Sequence, residues 1–158
     1  GQEYFAAYDG TPQNYLTALA AHETAHQWWY GLVGNDQALE PWLDEALCTY
    51  SELLFYDAVY PELVDWWWTF RVNRFQPAGW VDSTIYEHQA FRPYVDTVYL
   101  RGAQFLQAVR EQVGDEAFRA LLSDYAIRFS KRQASAEDFS GLLHVAGVSD
   151  ALFLGFFR

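Results

Sequence analysis

Apolar residues recur along most of the chain at the three- and four-residue spacing of a helix, and this periodicity most constrains the fold. Between Gln76 and Thr97 the period fails, and Pro77, Gly79 and Pro93 indicate a long loop there. No segment alternates convincingly between apolar and polar residues, as a strand would. We therefore predict a single all-α domain over residues 1–158, with helices at about 11–31, 41–60, 61–75, 98–113, 115–129 and 135–146 and a seventh from Ser149.

The composition limits the class of protein. Hydrophobic residues make up 51% of the chain and aromatic residues 19%, which suits a packed core and excludes intrinsic disorder. A net charge of −11 argues against nucleic acid as a partner, because phosphate binding needs a basic surface. No apolar run reaches the roughly 18 residues of a transmembrane helix, and no signal peptide is visible. These features indicate a soluble domain and leave its compartment unassigned.

The segment His22-Glu23-Thr24-Ala25-His26 has the pattern H-E-x-x-H, in the middle of the first predicted helix. Residues four apart lie one turn apart on the same helical face, so both imidazoles can reach a single metal ion. The two histidines also fall on the inward-facing stripe of that helix. Glu23, next to the first ligand, can accept a proton from water without binding the metal itself. The pattern therefore predicts a zinc site at His22 and His26, with Glu23 as general base.

A third ligand is predicted at Glu45, which follows the second histidine after eighteen intervening residues. Carboxylates are uncommon among so many apolar neighbours unless they are paired or bound to metal. The alternative is a solvated carboxylate, which is our interpretation of Asp44, Glu52 and Asp57. Glu45 completes the His₂Glu set of catalytic zinc sites, so we predict one Zn²⁺ per chain. Cys48, one turn further on, is interpreted as a small buried thiol rather than a ligand.

Two blocks of sequence resemble the M1 aminopeptidases, which are gluzincins with the pattern H-E-x-x-H-x18-E. The first block comprises the H-E-x-x-H segment, the following Gln27-Trp28-Trp29, and Trp42-Leu43-Asp44-Glu45. The second, Val98-Tyr99-Leu100-Arg101-Gly102, is similar to the family's V-Y-x-K-G segment, with Arg101 in place of Lys. A likeness at positions 114–118 extends the resemblance over nearly the whole chain.

The resemblance implies the helical part of a thermolysin-like zincin domain, with Glu23 as general base. It implies the same three metal ligands, His22, His26 and Glu45. It also implies that Tyr99 donates a hydrogen bond to the transition state. The residues alone support Tyr99 more weakly, because Tyr is also a common core residue.

One family motif is missing. The exopeptidase segment G-x-M-E-N, whose Glu would bind the substrate's α-amino group, is absent. Gly1-Gln2-Glu3-Tyr4 is weakly similar to it. Glu3, however, lies too close in sequence to His22 to bind that amino group. The β-rich lobe that precedes the H-E-x-x-H helix in the family is absent as well. We therefore expect a piece of a longer enzyme that is weakly active or inactive alone. Its exposed apolar face is expected to promote self-association.

The predicted function is that of a zinc aminopeptidase acting on peptide substrates. One alternative is an M1-like module that binds a partner and uses zinc only to stabilise its fold. Glu23 argues against it, because structural zinc needs ligands but no base. Another alternative is a gluzincin endopeptidase, which only the upstream segment would distinguish from an aminopeptidase.

Overall fold

A computed structural model of the protein describes residues 5–158, which are largely helical. The prediction of an all-α fold is confirmed. π-helical turns at Trp68–Val72 and Val95–Arg101 extend two of the helices, and short 3₁₀ turns lie at Pro61–Leu63, Asn73–Phe75 and Ile85–Glu87. Within the described residues no helix is both long and apolar enough to cross a lipid bilayer. The α-helices are α1 (Tyr15–Ala25), α2 (Trp42–Val59), α3 (Val64–Trp67), α4 (Phe91–Tyr94), α5 (Gly102–Val113), α6 (Asp115–Arg128), α7 (Ala136–Val145) and α8 (Asp150–Leu154).

Among residues 5–158, two short strands interrupt the helices. Strand β1 (Val33–Gly34) follows α1, and strand β2 (Arg132–Gln133) follows α6. They pair in parallel, with Val33 opposite Arg132. The expectation of no strand is wrong at this point, because two-residue strands are too short to show a period of two in the sequence. The pairing joins the chain after α1 to the chain after α6.

Helix α1 is shorter than predicted at both ends. Its N-cap is Asn14 rather than Thr11, and the Asn14 side chain accepts a hydrogen bond of 3.0 Å from the backbone N–H of Thr17. Asn is among the preferred capping residues because its short side chain satisfies a free N–H of the first turn. At the other end α1 stops at Ala25. The chain then turns at Tyr30, whose φ of 91° lies in the left-handed region, and continues into β1.

The predicted loop over 76–97 contains the start of a helix. Helix α4 begins at Phe91 and continues through the π-helical turn into α5. Pro93 does not break it, because Pro93 lies in the first turn, where a backbone N–H has no partner within the helix. Tyr99 therefore lies inside a continuous helical run, in its π-helical part, and not at the start of a helix as predicted.

Helix α2 is the centre of the core and is buried on nearly all sides. A helix with apolar residues all round is typical of such a central position. The ring of Trp42 meets those of Phe105, Phe139 and Phe157 edge-on, with centroids 6.1, 5.7 and 5.0 Å apart. These contacts join α2 to α5, to α7 and to the C-terminal segment. Buried side chains of α2 include Trp42, Leu43, Ala46, Leu47, Cys48, Tyr50, Leu53 and Tyr56.

Helices α2 and α5 approach each other closely at Gly102. A Cβ atom at this position would lie 2.4 Å from the Cβ of Ala46, so only glycine fits without moving a helix. Ala46 follows Glu45 in α2, and Gly102 lies three residues after Tyr99. The absence of a side chain at position 102 thus sets the spacing of the helices that carry these two predicted site residues.

Candidate metal centre

The three predicted metal ligands meet between α1 and α2. His22 lies on α1 and His26 is the C-cap residue of that helix, one turn later, with ring centroids 5.0 Å apart. Glu45 lies in the first turn of α2, where its Oε2 is 3.2 Å from Nε2 of His22 and 3.6 Å from Nε2 of His26. The His22 side chain is buried, whereas His26 and Glu45 keep 23% and 18% of their side chains exposed. The three donor atoms therefore converge at a point that borders solvent.

The spacing of these donor atoms suits a tetrahedral zinc ion. Zinc binds imidazole nitrogen and carboxylate oxygen at about 2.0–2.2 Å, so two ligands of a tetrahedral site lie about 3.3–3.6 Å apart. The separations of 3.2 and 3.6 Å between Glu45 and the two histidines agree with this requirement. Three protein donors leave a fourth position for water or substrate, as catalytic zinc sites require. The two distances from Glu45 thus fit the metal that the sequence predicts.

Cys48 also lies near the histidines, but against the other nitrogen of His26. Its Sγ is 3.2 Å from Nδ1 of His26, which is also 3.3 Å from the carbonyl oxygen of Trp29. Sγ of Cys48 and one ring nitrogen of each histidine lie within 4.8 Å of one another. Cys48, His22 and His26 are therefore another possible group of metal ligands. Burial raises the pKa of the Cys48 thiol, and neighbouring carboxylates raise it further. Cys48 is a free, buried cysteine, as predicted, whereas its exclusion from the metal ligands stays a prediction.

Glu52 contacts the ring nitrogen of His22 that does not face Glu45. It is fully buried, and its Oε1 lies 3.0 Å from Nδ1 of His22. Arg71 donates two hydrogen bonds of 2.8 and 2.9 Å to the same carboxylate, and Trp67 donates a third of 3.0 Å. Burial alone would raise the pKa of Glu52, but the charge of Arg71 and the hydrogen bonds to His22 and Arg71 lower it. The interpretation of Glu52 as a solvated carboxylate is wrong, because its charge is neutralised inside the core.

The two carboxylates on either side of His22 create a site that favours positive charge. Burial alone would lower the pKa of His22, but hydrogen bonds to Glu45 and Glu52, together with their negative charge, raise it to about 9. Burial alone would raise the pKa of Glu45, but hydrogen bonds with His22, His26 and Tyr99 lower it to about 2. The electrostatic field that favours a proton on His22 also favours a divalent cation at the same point.

Asp44 is buried as well, against the expectation from the sequence. Its Oδ2 accepts a hydrogen bond of 2.7 Å from Gln37, and its Oδ1 accepts one of 3.2 Å from Asn35. Oδ1 also lies 3.0 Å from the backbone N–H of Glu45. Asp44 therefore fastens the segment before α2 to the turn that carries Glu45. Asp57, the third residue interpreted as solvated, is half-buried at the surface.

Glu23 lies on the exposed side of α1 and lines a cavity of about 610 Å³ together with the three predicted ligands. Tyr99 and Arg71 line the same cavity. The structure thus brings the predicted general base, the predicted ligands and the predicted hydrogen-bond donor into one space. The exopeptidase-like Glu3 lies outside the described residues.

Tyr99 lies against the first predicted ligand. Its ring stacks on that of His22, with centroids 5.8 Å apart and planes 5° apart, and its hydroxyl interacts with the Glu45 carboxylate. Tyr94 packs edge-on against the other side, with a centroid distance of 5.5 Å. Burial raises the pKa of Tyr99, and the charge of Glu45 raises it further. The phenol therefore keeps its proton at neutral pH and can act as a hydrogen-bond donor.

Arg101, which replaces the Lys of the family segment, contacts the C-terminal part of the chain. It donates a hydrogen bond of 2.9 Å to the carbonyl oxygen of Gly155 and one of 3.0 Å to Gln104. Its guanidinium also lies 4.1 Å from the ring centroid of Phe156. Stacking and hydrogen bonding together suit the planar guanidinium of Arg better than the ammonium of Lys. Arg101 thus holds the C-terminal segment against α5.

The helical fold, the predicted donor set and the cavity beside it are of the kind that zinc metallopeptidases have. A sequence model of the peptidase family M1 domain matches residues 6–151. The chain therefore belongs to peptidase family M1. This membership confirms the resemblance seen in the sequence.

Individual relatives agree with the family. The chain is 31% identical to human endoplasmic reticulum aminopeptidase 2 over 134 residues, which are 78% of this chain and 14% of that protein. It is 28% identical to a leucyl aminopeptidase of Saccharolobus solfataricus, and the match covers 78% of this chain and 17% of that protein. The M1 zinc metallopeptidase of Deinococcus radiodurans has a similar structure, with a TM-score of 0.69, 28% identity, and 89% of this chain and 32% of that chain covered. The chain thus spans less than a fifth of the length of these two curated relatives.

Proposed function

We propose that this protein is a zinc aminopeptidase that hydrolyses N-terminal peptide bonds, with one zinc ion per chain bound by His22, His26 and Glu45. The observation that carries the proposal is the convergence of three donor atoms, with Oε2 of Glu45 3.2 and 3.6 Å from Nε2 of the two histidines. The names of the relatives support the choice of aminopeptidase. Peptides are the corresponding substrates.

Glu23 is the proposed general base. Zinc, when bound, would supply a Lewis acid that polarises a peptide carbonyl and lowers the pKa of water to about 7. The Glu23 carboxylate would accept a proton from the attacking water and then transfer it to the nitrogen of the leaving amine. Its place in the cavity beside the ligands favours an enzyme over a module that uses zinc only for its fold, because such a module needs no base there.

Tyr99 is the proposed donor to the developing oxyanion. Its neutral phenol can donate a hydrogen bond to the oxygen of the scissile carbonyl as negative charge builds up on it. Stacking on His22 and contact with Glu45 hold the phenol beside the proposed ligands. Glu52 would act one step further away, because its hydrogen bond to Nδ1 of His22 fixes the ring with Nε2 toward the metal.

Replacing Glu45 by Ala in the intact natural protein is expected to weaken zinc binding by at least about 100-fold. Loss of a residue that only orients a ligand already costs about 10- to 100-fold, and Glu45 is a proposed ligand. Zinc content after gel filtration and competition with a chelator measure the effect. His22→Ala and His26→Ala are expected to behave alike. The matched controls are Glu116→Ala in the first turn of α6 and His144→Ala on α7, both exposed.

The same preparations test the reaction. Wild type is expected to hydrolyse leucyl-naphthylamide and to leave its N-acetylated form intact, since an aminopeptidase needs a free α-amine. Cleavage of internal bonds in N-acetylated peptides would instead identify an endopeptidase. Unchanged zinc binding by Glu45→Ala would remove Glu45 from the proposed ligands.

Replacing Tyr99 by Phe is expected to lower kcat by about 10²- to 10³-fold, with a much smaller change in KM. One donor to a developing oxyanion typically contributes this much, and its hydrogen bond matters chiefly in the transition state. Steady-state kinetics on the zinc-loaded protein measure both constants, and zinc content should match that of wild type. Tyr86→Phe is the control, because Tyr86 is 76% exposed and does not line the cavity. A kcat near the wild-type value in Tyr99→Phe would exclude the proposed donor role.

A further inference from the structure

The cavity beside the predicted metal ligands has three arginines in its lining, although the chain as a whole is acidic. The whole chain has 21 acidic and 10 basic residues. Three of these basic residues, Arg71, Arg74 and Arg92, line the cavity, whereas its acidic lining consists of Glu23 and Glu45. A volume of about 610 Å³ is within the range that small ligands and short peptide segments occupy. Arginines thus outnumber carboxylates in the lining of this cavity, whereas acidic residues outnumber basic ones in the whole chain.

Arg71 is buried and donates two hydrogen bonds to Glu52, whereas Arg74 and Arg92 are exposed and can contact a ligand. Both stack on the ring of Phe75, with Cζ 4.4 Å from its centroid for Arg74 and 3.6 Å for Arg92. Arg74 also lies 4.0 Å from the ring centroid of Phe70. Stacking uses the flat face of a guanidinium and leaves the N–H groups on its edge available for hydrogen bonds.

The ion pairs of these two arginines differ. Arg92 pairs with Asp96 one turn further along its helix. Within residues 5–158, no carboxylate lies within salt-bridge distance of Arg74. Two like charges held on one aromatic ring repel each other, and an anion bound beside them would relieve this repulsion. Guanidinium edges match the geometry of a carboxylate, which can accept two parallel hydrogen bonds.

We propose that Arg74 and Arg92 bind a carboxylate of the peptide substrate, so that they determine specificity for peptides with a negative charge close to the cleaved bond. The carboxylate is either the C-terminus of a short peptide or an acidic side chain. The inference rests on the proposed function, because the guanidiniums share their cavity with Glu23 and the predicted zinc ligands. It adds a substrate class to the proposed aminopeptidase.

The test compares matched peptides on the zinc-loaded intact protein. Trialanine is compared with trialanine amide, Ala-Glu amide with Ala-Gln amide, and Glu-Ala amide with Gln-Ala amide. The first pair reports a C-terminal carboxylate and the other two report an acidic side chain. In at least one pair, wild type is expected to have a higher kcat/KM for the charged member. Arg74→Gln is expected to reduce kcat/KM for that member by about 10- to 100-fold, the effect of one charged hydrogen bond, and to leave the neutral member within about twofold.

Arg92→Gln should act in the same direction. The matched control is Arg128→Gln, because Arg128 forms an ion pair with Asp124 at the same four-residue spacing on an exposed part of α6. The control substitution is expected to leave kcat/KM unchanged for all six peptides. No charge preference in wild type, or an equal loss on charged and neutral peptides in both arginine variants, would overturn the inference.

Calorimetric titration of the zinc-loaded Glu23→Gln protein separates this inference from the proposed function. If wild type hydrolyses no peptide, the proposed function fails, but the titration still measures whether the charged member of a pair binds more tightly. The carboxylate site is supported if the charged member binds more tightly to the Glu23→Gln protein and this preference disappears when Arg74→Gln is added. Equal binding of both members in all three pairs excludes it.

Discussion

Replacing Glu23 by Gln is expected to lower kcat by about 10²- to 10⁴-fold while zinc content stays at the wild-type level. Gln has the shape of Glu but cannot accept a proton from water, and loss of a general base typically costs this much. Zinc should remain, because Glu23 is not a proposed ligand and lies on the exposed side of α1. The measurement is kcat on an aminoacyl-naphthylamide with the zinc-loaded intact protein, alongside metal analysis of the same sample.

The neighbouring helix position offers a control for this substitution. Thr24, also exposed on α1, bonds only to the carbonyl oxygen of Ala20 through its hydroxyl, so Thr24→Ser should leave kcat nearly unchanged. Near-normal turnover by Glu23→Gln would remove Glu23 from the mechanism. Loss of zinc together with activity would instead assign Glu23 a part in holding the metal.

Replacing Glu52 by Ala is expected to lower the free energy of unfolding by about 3–5 kcal/mol. The substitution leaves the buried guanidinium of Arg71 without its counterion, and removing one partner of a buried ion pair typically costs this much. Zinc affinity should also fall by about 10- to 100-fold, because His22 loses the hydrogen bond that fixes its ring. Urea unfolding, followed by Trp fluorescence, measures the first effect, and a chelator competition measures the second.

Asp57→Ala is the matched control for Glu52→Ala. Asp57 forms an ion pair of 2.8 Å with Arg110 near the surface, where such pairs contribute about 1 kcal/mol or less. The variant Glu52→Gln keeps the volume and removes the charge, so it separates packing from electrostatics. If the free energies of unfolding of Glu52→Ala and Asp57→Ala differ by less than about 1 kcal/mol, the Glu52 carboxylate does not stabilise the core through Arg71.

The sequence was most informative where local spacing decides the geometry. His22 and His26 had to lie on one face because residues four apart in a helix always do. The all-α fold and the bounds of α2 followed from apolar periodicity and from Pro61 after its end. The family resemblance added Tyr99, whose isolated context in the sequence did not separate a catalytic role from a place in the core. The roles of all five predicted site residues remain predictions.

The sequence was least informative where distant segments decide the environment of a residue. Nothing near Glu52 indicates that it is buried, because Arg71 and Trp67 belong to a different helical segment. One signal was present: Glu52 lies seven residues after Glu45, which is two helical turns along the same face. The sequence alone also predicts that Pro93 breaks a helix, because its place in the first turn of α4 depends on where that helix begins.

The close approach at Gly102 bears on how such an enzyme could be retuned by directed evolution. Any residue larger than Gly at position 102 would push α5 away from α2, because its Cβ would start 2.4 Å from that of Ala46. The displacement would move the Tyr99 hydroxyl relative to the Glu45 carboxylate although neither residue had changed. Positions 46 and 102 therefore act as a spacer and should stay constant in a mutant library. The cavity wall at Arg74 and Arg92 lies away from this spacer and is the better place to introduce diversity.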